Sequence, residues 1–413
     1  MTRWATQISV AGAIAASPAP LVGLSPVPAF TVDDAIQLAE TRFGGTSAAL
    51  RAAAAGRFAT ATMPTTAEEI WRYSRIEELE LGRYSPAVAV STITGWKLTA
   101  GDDATDVIGD AIDVPDVFAE LNVAFMTPIV VHIPAGTVHE EPIVIEHRSP
   151  GAGTATFPRL VLDVGEDAEV TVIERFSSPA GEDSLVVPVL QVRAARAARV
   201  RYLGVNELGD AAWQVAHQQA LGDADSTISL ATVALGGHYA RVRTEALVAG
   251  QGASTRQVAL YFAAGDQMHD FRTIQDHEAP KGTSDLLFKG AVQDHARSVY
   301  TGLIKIGHEA RGTSAFQTNR TLTLSEGAWA QSVPNLEIET NDVRCSHAST
   351  VGPIDPEQRF YLESRGIPTA RAERLIVLGF FDEVLAQLPP ASFLGDLRRR
   401  VADKLTLPGE NPS

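Results

Sequence analysis

The sequence predicts a mainly β protein flanked at both ends by helical segments, and three observations carry that prediction. From about Asn122 to Gly352, short alternating apolar runs are broken about every ten residues by Gly, Ala, Asp or Pro, as in strands joined by tight corners. No strong helical periodicity interrupts this stretch, which argues against a doubly wound α/β sheet. On either side of it the apolar spacing changes to steps of three and four residues.

Thr31 to about Tyr73 reads as short helices, with Val32, Ile36, Leu38 and Ala39 and then Leu50 to Ala55, separated by the breaker Gly44-Gly45. Thr31 ahead of Asp33 and Asp34 supplies an N-cap and negative charge at the positive end of the first helix. Thr66 to Arg72 repeats that logic, with Glu68 and Glu69 before Ile70 and Trp71. Strands are expected at Ile129 to Ile133, Leu160 to Val164, Val170 to Ile173 and Leu322 to Leu324. Between Ser284 and Ile338 a small residue precedes each alternating run: Ala296, Ala310 and Ala328, at irregular spacings of 14 and 18. A sandwich, a barrel and a solenoid all remain open, although many similar strands with small corner residues suit a solenoid.

The C-terminal part is helical again. Asp355 caps a helix with Pro356 at its first position, which stops at Gly366. Pro368 opens a second, carrying Leu375, Leu378, Phe381, Leu385 and Leu388, and Pro389-Pro390 ends it. A third, Phe393 to Leu405, places Leu394, Leu397, Val401 and Leu405 on one face. Its Arg398, Arg399 and Arg400 form the only local cationic cluster, either a solvated helix end that suits the dipole or a docking surface. The expected organisation is 1–120 largely helical, 121–352 the β core and 353–413 a C-terminal helical domain.

The chain has 413 residues, 45% of them hydrophobic and 20% charged, which fits a folded, water-soluble protein. Fifty acidic residues against 34 basic ones give a net charge of −16, and this disfavours a nucleic-acid partner. Cys345 is the only cysteine, so no intramolecular disulfide can form and a cytoplasmic location is expected. Arg3 followed by the Ala-rich Trp4 to Ala16 has some features of a secretory leader, but Thr6, Gln7 and Ser9 interrupt it. No later run reaches the roughly 18–20 apolar residues of a membrane-spanning helix.

Common catalytic signatures are missing. The dipeptide Gly-Lys never occurs, so there is no phosphate loop and no ATP site of that kind. Gly250-Gln251-Gly252 lacks a third glycine and reads as a corner between strands. No GxSxG is present, and His139-Glu140-Glu141-Pro142 lacks the second histidine of a zincin. The densest polar cluster is His269, Asp270, Asp276, His277 and Glu278, which suits a metal, an acid and base pair, or acidic corners. In Val343-Arg344-Cys345-Ser346-His347, an extended backbone puts Cys345 and His347 on one face, where a thiolate and an imidazole can approach one soft metal. Two ligands are too few for a closed iron-sulfur site, so others must come from another chain. The alternative is a buried cysteine beside a hydrogen-bonded histidine.

An ordered set of motifs narrows these options. Gln317-Thr318-Asn319-Arg320-Thr321-Leu322, Pro334-Asn335-Leu336-Glu337-Ile338, Asp342-Val343-Arg344-Cys345-Ser346-His347 and Phe360-Tyr361-Leu362-Glu363-Ser364-Arg365-Gly366-Ile367 follow one another. Together they resemble the C-terminal signature of the SufB/SufD family, scaffold subunits of the SUF iron-sulfur cluster assembly system. The D type is the better match, because B-type subunits carry additional cysteines and a V-E-H-E-A-T-like run where this chain has Cys345-Ser346-His347. Ala348, Ser349 and Glu363 depart from the usual pattern.

The resemblance implies a right-handed parallel β-helix (solenoid) between helical terminal regions. It also implies pairing with a SufB-type paralogue and, through the C-terminal helices, with a SufC-type ABC ATPase, a homodimer being the alternative when the partner is absent. Phe381, Leu385, Leu394, Leu397, Arg398, Arg399 and Arg400 are then the candidate docking residues, and removal of the chain after Pro353 is expected to leave the solenoid folded. Cys345 and His347 become candidate ligands of a nascent iron-sulfur cluster shared with the partner, and the assembled complex can involve a reduced flavin, for which this chain shows no motif. Two other classes stand beside this one: a β-helix carbohydrate-active enzyme using Asp270, Asp276 and Glu278, and a structural adaptor in which Cys345 is inert.

Overall fold

The computed structural model describes residues 30–43, 45, 47–96, 114–389 and 391–405, with the side chains of 391–394 left out. The leader-like stretch from Arg3 therefore lies outside the described residues, as does the side chain of Leu394.

Among the described residues, twenty strands form two sheets. In chain order they are β1 (Ser85–Ala87), β2 (Val90–Thr94), β3 (Thr127–Ile133), β4 (Ile143–Arg148), β5 (Thr154–Thr156), β6 (Pro158–Val164), β7 (Glu169–Ser177), β8 (Ser184–Val186), β9 (Val189–Ala194) and β10 (Arg199–Glu207). There follow β11 (Trp213–Gly222), β12 (Thr227–Ala234), β13 (Tyr239–Val248), β14 (Ser254–Ala263), β15 (Met268–His277), β16 (Thr283–Val292), β17 (Arg297–Ile306), β18 (Thr313–Thr323), β19 (Trp329–Ile338) and β20 (Val343–Gly352). From β11 onward the odd strands stack in one sheet and the even strands in the other, every pair parallel. Each coil thus adds one strand to each sheet, giving a parallel β-solenoid of about eight turns between residues 127 and 352. The edge strand β2 departs from this rule, pairing antiparallel with β4.

Corners explain why the repeat reads irregularly in the sequence. Ala168, Ala198, Ala253, Ala296 and Ala310 are fully buried at the starts of coils' strands. Each donates its N–H to the carbonyl three residues back, at 3.0–3.2 Å, closing a β-turn in which a larger side chain would strike the interior. Ala296 and Ala328 lie one full coil apart, preceding the register pair Arg297 and Trp329, while Ala310 belongs to the opposite sheet. The spacings of 14 and 18 are the two unequal halves of one coil. Gly250-Gln251-Gly252 is one such corner: Gly252 has φ +73°, and a Cβ on Gly250 would lie 1.9 Å from the Ala224 nitrogen.

Helices cover the outer face of each sheet. The N-terminal helices α1 (Val32–Phe43), α2 (Ala48–Thr60) and α3 (Val117–Phe125) lie over the odd-strand sheet. There Phe30, Phe58, Trp71, Phe118 and Phe125 share a core with Val215, Tyr239, Met268 and Val299. The stretch expected to be helical also contributes β1 and β2, so the sheets begin upstream of residue 121.

At the other end, α4 (Pro356–Glu363), α5 (Thr369–Leu385) and α6 (Ala391–Lys404) follow the last strand, and Asp355 caps α4 as its sequence predicts. Val377, Phe381, Val384, Leu385, Leu397 and Val401 pack on the outer face of the even-strand sheet, against Ile173, Leu203, Val205, Val233, Leu260 and Phe262. The segment after Pro353, expected to be dispensable for the solenoid, thus shares an apolar core with it. Those outward residues are apolar because a helix covers them.

Candidate functional site

Successive coils build straight ladders of side chains, and two ladders end at the residues singled out in the sequence. One runs Val170, Val200, Ile228, Thr255, Ser284, Ala315 and Cys345; the next inward position runs Val172, Tyr202, Leu230, Gln257, Leu286, Gln317 and His347. Cys345 and His347 are thus on the same face of β20, as period-two alternation requires. That face points into the solenoid, since Val343 and Cys345 pack on Ile304, Ile306, Ala310 and Ala315.

No strand follows β19 or β20, so the last coil leaves both sheet edges unpaired among the described residues. Cys345 is half-buried and His347 is exposed. Burial pushes the Cys345 thiol above its ordinary pKa, which keeps it protonated near neutral pH in the isolated chain. Beside them the last coil is polar: Ser349 Oγ donates to Ser332 Oγ at 2.6 Å, and Asn319 Nδ2 donates to the same oxygen at 3.0 Å. Ser332 escaped the sequence reading; its inward position follows from alternation along β19 once the register with β17 is known. Leu336, Ile338 and Val351 at this end are about 40% exposed, an unusual state for aliphatic residues of a solenoid interior.

Among the described residues no three His, Cys, Asp or Glu side chains converge into a set able to hold a metal ion. Cys345 and His347 present two potential donor groups from one chain. The one is a soft thiol and the other an imidazole, a pair whose chemistry suits iron or zinc better than calcium.

The cluster around residue 270 separates when folded. His269 and His277 face inward on β15, with His269 Nε2 3.2 Å from the Gly236 carbonyl and His277 Nε2 2.8 Å from Ser284 Oγ. Burial lowers their pKa values to about 3 and about 4, so both are neutral. Asp270 lies on the opposite face. It accepts from Tyr239 Oη at 2.8 Å, Arg241 NH1 at 2.6 Å and Arg272 Nε at 2.8 Å. Burial alone would raise its pKa, but the two guanidiniums hold it below the usual carboxylate range. Asp276 pairs with Lys305 at 3.2 Å, while burial raises its pKa. Asp270 is saturated and structural, and with Asp276 and the half-buried Glu278 it forms no cleft with an acid and a base facing one substrate.

The residues expected to dock a partner on the C-terminal helices divide between a buried and an exposed set. Phe381, Leu385 and Leu397 are 0%, 5% and 0% exposed, consumed by the sheet beneath them. Arg398 and Arg399 bond to Asp382 and Asp396, and Arg400 bridges Asp396 and Glu207 of β10. The arginines therefore tie α6 to α5, to itself and to the solenoid. Among the described side chains of this region, the exposed large apolar ones are Phe360 and Tyr361 on α4 and Leu375 on α5.

A further polar chain was invisible in the sequence because its members lie far apart. Ser91 Oγ meets His147 Nδ1 at 2.8 Å, His147 Nε2 meets Glu174 Oε1 at 2.9 Å, and Tyr202 Oη donates to Glu174 Oε2 at 2.6 Å. Glu174 and Tyr202 border a small cavity of about 20 Å³, and a second cavity under α3 measures about 10 Å³. Each has room for about one water, and neither takes a flavin ring.

A family model described as the SUF system FeS cluster assembly SufBD core domain matches residues 147–380. The chain is 33% identical over 344 residues to an iron-sulfur cluster assembly SufBD family protein of Mycobacterium tuberculosis, spanning 79% of this chain and 85% of that protein. It is 30% identical over 331 residues to the iron-sulfur cluster assembly protein SufD of Escherichia coli, with 78% of each chain covered. Against the SufD protein of Bacillus subtilis it is 29% identical over 260 residues, 62% of this chain and 60% of that one.

Proposed function

The chain belongs to the SufBD family of SUF-system iron-sulfur cluster assembly proteins and is SufD-like; from this premise we propose that it is a scaffold subunit that pairs with a SufB-type chain through its last coil. The observation that carries the reading is the position of Cys345 and His347 on the inner face of the final strand, beside two unpaired sheet edges. A solenoid edge left bare invites strand addition, and a homologous chain added there covers the apolar rim and brings its own ligands to the thiol and imidazole.

In this role the nascent cluster is cargo. Cys345 must lose its proton before it can bind iron, and the raised thiol pKa makes that loss unfavourable until a metal or a partner's charge compensates. His347 supplies the second donor or accepts the proton. ATP turnover falls to a SufC-type ABC ATPase, since this chain lacks a phosphate loop. Its docking is assigned here to the exposed Phe360, Tyr361 and Leu375 instead of the buried Phe381, Leu385 and Leu397. Any reduced flavin is placed at the level of the assembled complex, since this chain carries no flavin motif. No described helix is long and apolar enough to cross a membrane, and a cytoplasmic site of action accords with that and with the free thiol.

The test is coexpression with the SufB-type paralogue and the ABC ATPase, comparing wild type with His347→Ala. The expected result is an intact complex with normal melting and reduced iron and sulfide content. A variant complex that matures clusters at the normal rate removes His347 from the mechanism.

A further inference from the structure

Tyr73 is a bulky residue with φ +67°, a conformation that L side chains other than Asn and Asp seldom adopt. The segment is held there from both sides. Arg241 NH2 donates to the Ile70 carbonyl at 2.7 Å, Arg272 NH2 donates to the Arg72 carbonyl at 2.6 Å, and both guanidiniums share the buried Asp270. Between those two carbonyls Trp71 is 1% exposed, with the Arg241 guanidinium 3.9 Å from its ring centroid. The turn therefore buries one aromatic residue and holds the next outward.

That outward ring is 46% exposed and lies 6.0 Å, centroid to centroid, from Trp329, itself 38% exposed. Trp329 opens β19, the last strand of its sheet, and is paired in register with Arg297 on one side and with nothing on the other. Alternation places it on the outer face, opposite to Leu336 and Ile338. A strand added to the free edge of β19 lies about 4.8 Å away, so one of its outward residues must fall against the bare flank of Trp329.

We propose that Tyr73 and Trp329 form an aromatic bracket that grips the outer face of the SufB-type chain's terminal strand when that strand extends the odd-strand sheet. This rests on the pairing reading above and adds a contact outside the cluster-bearing interior. The occupant is a β-solenoid end and not a helix, because the bracket adjoins ten residues of unpaired strand backbone. The strained turn gives the ring a fixed position before the partner arrives, which lowers the ordering cost of association.

Affinity of the purified chain for the purified SufB-type paralogue decides the matter, measured for Trp329→Ala, Trp329→Tyr, Tyr73→Gly and the edge variant Leu336→Lys/Ile338→Lys. Trp329→Ala and Tyr73→Gly are expected to weaken pairing at least tenfold, with Trp329→Tyr intermediate. Tyr73→Gly should melt no lower than wild type, because glycine relieves the strained φ; a purely structural role would change melting without changing affinity. If the edge variant abolishes pairing while Trp329→Ala and Tyr73→Gly bind normally, the bracket is overturned and the pairing stands. If the edge variant pairs normally, the pairing reading falls and the bracket with it. A homodimer of this chain that Trp329→Ala dissociates would assign the surface to a second copy and overturn the SufB-type occupant.

Discussion

Cys345 packs beside Ile304, Ile306, Ala310 and Ala315, whereas His347, two residues on, meets solvent. The two should answer differently to substitution. Cys345→Ser places a hydroxyl among aliphatic side chains and is expected to cost about 1–2 kcal/mol in denaturant unfolding, while His347→Ala stays within about 0.5 kcal/mol. Equal losses for both would mean that His347 is also a packing residue. The interior histidines give a pH signature. His269 and His277 titrate at about 3 and about 4 when folded, because burial disfavours their cations, against about 6.5 when unfolded. Between those values the unfolded chain binds more protons, so stability is complete above pH 6.5 and declines as the pH falls toward 4. The loss should reach about 2 kcal/mol per histidine at pH 5. Denaturation midpoints from pH 7.5 to 5 check this, and His277→Gln should flatten the slope; an unchanged slope would exclude His277 as a source.

The C-terminal helices show how a correctly placed element can bury its apolar face within its own chain. Asp355, Pro356, Gly366 and the three- and four-residue apolar steps located α4, α5 and α6 in the sequence. What they could not say is that the apolar stripe is already taken by the solenoid, because Ile173, Leu203, Leu260 and Phe262 are nearly 100 residues or more away from it. On a strand buried on both faces, alternation disappears and outward positions look like core. Truncation after Pro353 would bare at least six apolar side chains, each worth about 1.5–3 kcal/mol when covered, so the truncated chain should aggregate or unfold. Phe381→Ala alone should cost about 3–5 kcal/mol. A soluble truncated solenoid with native melting would contradict this. The strands themselves were legible from short alternating runs with small corners. The edge strand β2 and the chain Ser91, His147, Glu174 and Tyr202 were not, since antiparallel capping and ladders across about 30 residues leave no local trace.

For the molecule as a whole, helices cover the outer faces of the two sheets, and the last coil stays bare. Sequence periodicity left sandwich, barrel and solenoid open; the ordered motifs from Gln317 to Ile367 selected the solenoid, and parallel registry through β20 bears it out. The placement of Cys345 and His347 on one face was readable from their spacing, but the free edge beside them was not, because a sequence does not show which strand lacks a neighbour. Amide hydrogen exchange on this chain, alone and with the SufB-type paralogue, tests the central claim most directly. Strand pairing at the last coil predicts that amides of 329–338 and 343–352 gain protection on association, while earlier coils exchange as before. Tight association with those two strands exchanging unchanged would place the interface elsewhere and leave Cys345 and His347 without a partner's ligands.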